Sequence, residues 1–311
     1  MGAVVVFQQM LVIFLLILVG YVLYKKEVLT EAASRVISSI VVNITNPALL
    51  IFSALDGGAS ITRREVLEMA LVSAGVYAAL LILGVLIPRL LRAPEKERKF
   101  YNVMVVYGNT GFIGIPLVSE LFGSEGMIYL VVFNLFFNFL FYTHGRYVLS
   151  GEGTEKKRKL TWKTFVNVGT VSGTAALLLF WFGARLPGVL ESTLDYSGRS
   201  TTFLSMIVLG VSLARMPLKS IFSDMRLNLF SLVRMLAVPV LAAVILRQTA
   251  PEPMMASVAA VLTAVPAGNL PLMTAQEYGL EAGCLAKGIV LTTLLGIATI
   301  PAAAAFMPAA L

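Results

Sequence analysis

The chain has 311 residues and a formal net charge of +7; 58% of its residues are hydrophobic and 13% are charged. A soluble domain is about a quarter charged, so this composition, with a mean hydropathy of +0.86, excludes an ordinary soluble protein and predicts a membrane protein. A single cysteine, Cys284, and a single histidine, His144, exclude an internal disulfide and argue against a conventional zinc or iron–sulfur site. We therefore expect no metal and no bound cofactor.

The apolar stretches predict an all-α polytopic membrane protein with ten spans, since a hydrocarbon core about 30 Å thick needs roughly 20 apolar residues per helix. The first five spans are predicted near 4–24, 34–55, 66–90, 100–122 and 127–149. A polar segment, SGEGTEKKRKLTWK, follows at 150–163. The other five spans are predicted near 164–183, 200–216, 227–246, 253–277 and 283–307.

The basic residues indicate the orientation of these spans, because positive charge accumulates on cytoplasmic loops. With the amino terminus outside, 18 of the 24 lysines and arginines fall on the cytoplasmic side, five fall outside and Arg234 lies within a span. We therefore expect both termini outside and the 150–163 loop in the cytoplasm. The excess positive charge is then a signal of membrane topology and not of nucleic-acid binding.

Spans four and nine share a motif. GFIGIPLVSELFG at 111–123 and AGNLPLMTAQEYG at 267–279 each contain a Pro-Leu pair followed by an acid, an aromatic residue and a glycine. Pro116 and Pro271 are 155 residues apart, about half of the chain. With five spans in each half, equivalent helices cross in opposite directions, as in the inverted repeats of secondary transporters. The alternative is a chance likeness, since glycine and proline are frequent in membrane helices. The repeat predicts three segments: a first repeat at 1–149, a linker at 150–163 and a second repeat at 164–311.

The shared motif places poor helix formers deep in the membrane. Each proline removes a backbone donor, and nearby glycines add backbone freedom; these are Gly108, Gly111, Gly114 and Gly268. We predict that both helices are broken near the bilayer midplane, where unpaired backbone groups are tolerated only against protein or a wet cavity. With each proline in the first turn of a new half-helix, two helix amino termini bring partial positive charge to one point, which suits an anion.

The predicted substrate site consists of these glycines, Pro116, Pro271 and the polar residues beside them. Asn109, Thr110 and Asn269 either bind a carboxylate or only cap frayed backbone groups, since an amide both donates and accepts. The glycines and prolines are expected to shape the site without side-chain chemistry.

Two further groups of polar residues lie within spans. Asn134 and Asn138 share a helix face; a hydrogen bond to a neighbouring helix is favoured over substrate binding by Asn138. Arg234 is either a counter-charge for an anionic substrate or an interfacial residue. The second reading is favoured, because its span begins only about 10 Å away and a long arginine side chain reaches that far.

Residues that follow the motifs are candidates for ion coupling: Glu120, Thr274, Gln276 and Glu277. The glutamates either relay protons, join a sodium site, or are solvated at helix ends. Asn46 and Pro47 are interpreted as a helix kink in preference to a binding site. His144 is interpreted as a solvated interfacial residue in preference to a proton shuttle.

The chain resembles the auxin efflux carrier family of membrane permeases in three segments: GNTGFIGIPL in span four, NPALLIF at 46–52 and the PxGNxP segment of span nine. The resemblance covers essentially the whole chain and implies a fold related to sodium/proton antiporters and bile-acid symporters. The resemblance implies a scaffold and homodimer interface formed by spans 1, 2, 6 and 7. It also implies a transport domain formed by spans 3–5 and 8–10, which moves against the scaffold and in which helices 4 and 9 cross. The short central loop favours a permease of the bacterial inner membrane.

The leading functional hypothesis is a secondary transporter of small organic anions, for which the resemblance suggests malate, malonate or auxin-like acids. The alternatives are a sodium-coupled organic-anion importer and, more remotely, a non-transporting receptor. An intramembrane enzyme would need a constellation such as HExxH, and an ATP-driven pump would need a P-loop; neither occurs in the sequence. Membrane lipid and a second copy of the chain are the expected partners, and H⁺ or Na⁺ the candidate coupling ions.

Overall fold

The computed structural model describes residues 3–56, 61–150, 166–215, 222 and 224–306. The regular elements in these ranges are helices, which confirms the predicted all-helical class. In chain order they are α1 Ala3–Lys25, α2 Glu31–Asp56, α3 Arg63–Leu90, α4 Glu95–Val106, α5 Thr110–Ser150, α6 Val168–Phe182, α7 Gly188–Ala214, α8 Met225–Thr249, α9 Pro253–Ala264, α10 Asn269–Glu277 and α11 Gly283–Ala304. The predicted cytoplasmic loop lies, from residue 151 on, outside the described residues.

Six described helices are long and apolar enough to cross a membrane: α1, α2, α3, α5, α8 and α11. Helices α6 and α9 are apolar but shorter. Helix α7 begins at Gly188, well before the predicted start at 200. Its polar first half is helical as well, and there Arg199 Nε donates to Asp195 Oδ1 at 2.7 Å across one turn. Hydropathy alone could not place that boundary.

Polar residues at the helix starts satisfy backbone donors that have no partner within the helix. Thr62 and Glu65 form a reciprocal capping box at α3, with Glu65 Oε2 accepting from Thr62 N at 2.6 Å. Asn167 caps α6 by accepting from Thr170 N at 3.0 Å. These caps fix where the chain enters each apolar helix.

Several helices contain a wider π-helical turn: Val41–Thr45 in α2, Thr110–Gly114 and Phe141–Gly145 in α5, and Val233–Ala237 in α8. Such turns are frequent at functional sites. In addition, α5 is interrupted at Gly123, whose φ of 59° and ψ of −155° are not helical. This angle favours glycine, and it divides α5 between the predicted spans four and five.

The helices pack in two groups that touch each other. Helix α1 packs along α7, where a Cβ on Gly210 would lie 2.1 Å from the carbonyl oxygen of Ile17, so only glycine permits this backbone approach. Helix α2 packs on α6 and α7, whereas α3 packs on α4 and α5, and α8 on α9 and α11. Contacts of α2 and α6 with α5 join the groups. The most continuous burial is at 100–110 and 255–268.

Candidate functional site

The centre of the molecule is a meeting point of four helix ends, which we call the crossing. Helix α4 ends at Val106 and α5 begins at Thr110; α9 ends at Ala264 and α10 begins at Asn269. The two connecting segments pair with each other, because Asn109 N donates to Pro266 O at 2.7 Å and Gly268 N donates to Tyr107 O at 2.9 Å. These bonds form one antiparallel bridge, between Gly108 and Ala267. These bonds pair two backbone donors and two backbone acceptors of the connecting segments within the protein.

Glycine at 268 is required by this close approach. A Cβ there would lie 2.9 Å from Gly108 O and 3.2 Å from Tyr107 O, both of which are backbone atoms. At Gly108 a Cβ would lie 2.7 Å from Val265 Cγ2. Gly108 and Gly268, which were predicted to add backbone freedom, therefore allow the two connecting segments to approach each other closely.

A cavity of about 460 Å³ lies against the amino ends of α5 and α10 and is bounded by α2 and α6. Seven of its lining residues are asparagines: Asn43, Asn46, Asn109, Asn134, Asn138, Asn167 and Asn269. The described lining residues include no Asp, Glu, Lys or Arg. Since an amide both donates and accepts, this lining can bind a polar solute or a carboxylate without a direct ion pair.

Asn109 caps α5 and also presents a free donor. Its Oδ1 accepts from Phe112 N at 3.1 Å. Only the oxygen of an amide can accept, so this bond fixes the orientation of the group. The side chain is 5% exposed, and its Nδ2 has no hydrogen-bond partner in the part of the chain that the structure describes. An unpaired donor buried beside a cavity needs a ligand or water, so capping and binding are compatible roles of this residue.

The other predicted substrate residues divide into two sets. Those that line the cavity are Gly108, Thr110, Gly111, Asn138, Gly268 and Asn269. Gly114, Pro116, Pro271 and Arg234 do not line it. Pro271 lies in the first turn of α10, as predicted, but α5 begins six residues before Pro116. Pro116 is nevertheless in the first turn of the α-helical segment Ile115–Leu140, which follows the π turn Thr110–Gly114, so the predicted first-turn position holds for both prolines.

Arg234 occupies the opposite side of the crossing from the cavity. Its side chain is 1% exposed, so the interfacial interpretation is wrong. Three backbone carbonyl oxygens accept from the guanidinium: Met104 O from Nε at 3.1 Å, Thr263 O from Nη1 at 2.8 Å and Val265 O from Nη2 at 3.4 Å. These carbonyls belong to the last turns of α4 and α9 and the residue after α9, where a helix leaves acceptors unpaired.

The candidates for ion coupling are not brought to the cavity. Glu120, Gln276 and Glu277 are exposed, and Thr274 is buried. None of the four lines the cavity.

Asn46 lines the cavity, whereas the sequence favoured a helix kink over a binding role for it. A π turn does precede it, but its amide also lies at the cavity, where Nδ2 donates to Gly111 O at 3.4 Å. The residue is 8% exposed, and its Oδ1 has no partner among the described residues. Asn43 lies three residues earlier on the same helix face and lines the cavity too. That spacing was the available signal.

Asn134 and Asn138 also line the cavity. Asn138 Nδ2 donates to Asn134 O of its own helix at 2.9 Å. The interhelical hydrogen bond that the sequence favoured is not formed by either side chain within the described ranges.

His144 is half-buried, with Nδ1 2.9 Å from the hydroxyl of Tyr107, which corrects its interpretation as a solvated residue.

The apolar helices bound an uncharged cavity that carries seven amide side chains and is otherwise largely apolar, an arrangement that suits a membrane protein that binds and passes a solute. Comparison with known proteins agrees with this class, since the membrane transport protein family matches residues 5–303. The chain belongs to this family, which confirms the resemblance to the auxin efflux carriers. It is an integral membrane transport protein and not an enzyme.

Three relatives illustrate the range of the family. An uncharacterized transporter of Methanocaldococcus jannaschii is 25% identical, covering 93% of this chain and 95% of its own. One of Methanothermobacter thermautotrophicus is 24% identical, covering 94% and 96%. A protein of Rhizobium meliloti named "putative malonate transporter" is 25% identical, covering 72% and 71%.

Proposed function

We propose that the protein is a secondary transporter of small organic anions, carboxylates such as malonate or malate or auxin-like acids. The observation that carries this proposal is the free Nδ2 donor of Asn109, which is buried at the cavity where α5 and α10 begin. Helix amino termini favour negative charge, and a carboxylate accepts several such donors at once. The name of the Rhizobium meliloti relative is in keeping with this substrate class.

The proposed fold is a ten-span 5+5 inverted repeat. In it, α4 with 110–122 is the fourth span and α9 with α10 is the ninth, each interrupted at the crossing. Both second halves end at a glycine with positive φ, 59° at Gly123 and 70° at Gly279, as equivalent elements of two repeats would. In this proposal the protein spans the bacterial inner membrane, and both termini lie on its outer side.

The proposed mechanism is elevator-type alternating access. Helices α1, α2, α6 and α7 form the scaffold and the homodimer interface, and the remaining helices form the transport domain. This division is supported by the cavity walls, since Asn46 and Ser172 come from the first group and Asn109 and Asn269 from the second. A carboxylate held at the crossing would therefore move with α5 and α10 relative to α2 and α6.

The test is the thermal stability of the purified full-length protein with malonate, malate and an auxin-like acid, with and without sodium, at two pH values. A ligand that binds the folded state at about 100 times its Kd adds roughly 2.7 kcal/mol of stability. We expect a carboxylate to raise the melting temperature of the wild type but not of Asn109→Ala. Asn228→Ala is the matched control, because that amide lies on α8, donates to Phe222 O and is remote from the cavity.

Failure of every carboxylate to stabilise the wild type would refute the anion class. Stabilisation of Asn109→Ala equal to that of the wild type would refute the site. A requirement for sodium would favour the sodium-coupled importer, and a dependence on pH alone would favour coupling to protons.

A further inference from the structure

Arg234 is a fully buried cation that has no anionic partner among the described residues. Its three hydrogen bonds all go to backbone carbonyls, and no carboxylate of the described ranges forms an ion pair with it. Burying an isolated charge is costly unless it is paired or hydrogen-bonded. These carbonyls lie at the carboxyl ends of α4 and α9, and their hydrogen bonds to the guanidinium offset the cost of burying the charge.

Without this arginine, the partial charges of the four helix ends would nearly cancel. A helix carries about −0.5 charge at its carboxyl end and about +0.5 at its amino end. Two carboxyl ends and two amino ends meet at the crossing, so their sum is close to zero. Arg234 adds one positive charge on the side of the carboxyl ends, which neutralises them. The amino ends of α5 and α10 are left with a net charge of about +1, directed at the cavity.

The guanidinium lies directly behind the wall of the cavity. A Cβ placed on Gly108, which lines the cavity, would be 3.6 Å from Arg234 Nη2. Arg234 itself is not a lining residue. Its charge therefore reaches a ligand through one layer of backbone, at a buried position where salt screens it little.

We propose that Arg234 makes the cavity selective for anions without touching the substrate, by neutralising the carboxyl ends of α4 and α9. It is a specificity-determining positioning residue, and the inference rests on the proposed function. The free donor of Asn109 supplies the contact with one carboxylate group, and Arg234 supplies the excess of positive potential at that point. Two unit charges on the order of 8 Å apart at an effective dielectric of 20 correspond to roughly thirty-fold in affinity.

The experiment compares malonate with malonamide, an uncharged molecule of the same shape, by calorimetric binding to the full-length protein. We expect the wild type to bind malonate more tightly than malonamide. Arg234→Lys, which keeps the charge, should retain that preference. Arg234→Gln and Arg234→Met, which remove the charge, should lower the ratio of the two affinities by about thirty-fold. If Arg234 had a purely structural role, replacing it would weaken the binding of both ligands alike and leave the ratio of the two affinities unchanged.

An unchanged ratio in either folded neutral variant would overturn the proposal. If neither neutral variant folds, Thr263→Asp takes their place, because it adds a carboxylate at the residue whose carbonyl accepts from Arg234 Nη1. A lower ratio of the two affinities then upholds the proposal, and an unchanged ratio overturns it. Wild-type protein that binds neither probe would instead refute the proposed function, and this inference with it. The two failures are thus distinguishable.

Discussion

Replacing Gly268 with alanine is expected to separate the two paired segments at the crossing. The backbone angles of Gly268, φ −80° and ψ 154°, are accessible to alanine, so backbone strain does not contribute. The new Cβ would lie 2.9 Å from Gly108 O and 3.2 Å from Tyr107 O. Backbone atoms cannot rotate away as a flexible side chain can. The clash is therefore relieved only by lengthening the bonds from Asn109 N to Pro266 O and from Gly268 N to Tyr107 O.

The magnitude follows from these two bonds. A buried hydrogen bond contributes about 1 kcal/mol net, and a buried donor left unpaired costs about 1–3 kcal/mol. We expect Gly268→Ala to lower the free energy of unfolding by about 2–3 kcal/mol. For a chain of 311 residues, with an unfolding entropy of about 2.1 cal/mol/K per residue, that is a fall of roughly 3–5 °C in melting temperature.

The assay is thermal unfolding of the detergent-solubilised protein followed by circular dichroism. Gly111→Ala is the matched control, because a Cβ there meets no atom within 4 Å although Gly111 also lines the cavity. Its melting temperature should stay close to that of the wild type. Equal melting temperatures for the two variants would refute the argument that backbone contact requires glycine at 268.

Two further predictions concern the cavity wall and the packing of α1 on α7. Asn46→Asp should weaken malonate binding more than Asn46→Ala in equilibrium binding measurements, because the carboxylate adds a negative charge at the cavity; equal effects would argue against an anionic ligand. Gly210→Ala should destabilise the protein in thermal unfolding while Gly188→Ala on the same helix does not, since a Cβ at 210 meets Ile17 O at 2.1 Å and one at 188 meets no atom within 4 Å; similar melting temperatures would contradict this.

The sequence predicted those features that depend on local chemistry. Apolar runs bounded by caps placed α1 and α3 within a few residues of their observed ends, because length and hydropathy determine such helices. The helices at the motifs end at Val106 and Ala264, well upstream of the prolines that drew attention to them. Helix α9 stops at Ala264 because Pro266 favours an extended conformation of Val265, observed at φ −62° and ψ 146°. Both helices end next to the backbone pairing of Gly108 with Ala267.

Features that depend on long-range contacts could not be predicted from the sequence. The partners of Arg234 are backbone carbonyls 130, 29 and 31 residues away along the chain. A carbonyl is present at every residue, so no pattern of side chains reveals which ones lack a partner. Hydropathy could only place Arg234 near a helix end, from which the interfacial interpretation followed. Asn46 was undervalued for the same reason, since it meets Gly111 from 65 residues away.

The separation of charge from contact also bears on how such a cavity would release its ligand. A carboxylate in direct contact with a buried arginine is held by a strong charge-assisted pair, and release then requires that pair to be broken in a medium of low dielectric. A cavity lined with amides provides several weaker bonds that can be exchanged one at a time for water. With the charge of Arg234 placed behind the backbone of Gly108, attraction changes gradually with distance instead of being lost at a single contact. A transporter needs to bind on one side and release on the other, and in the mechanism we propose this arrangement would favour anions without making the bound state too stable to leave.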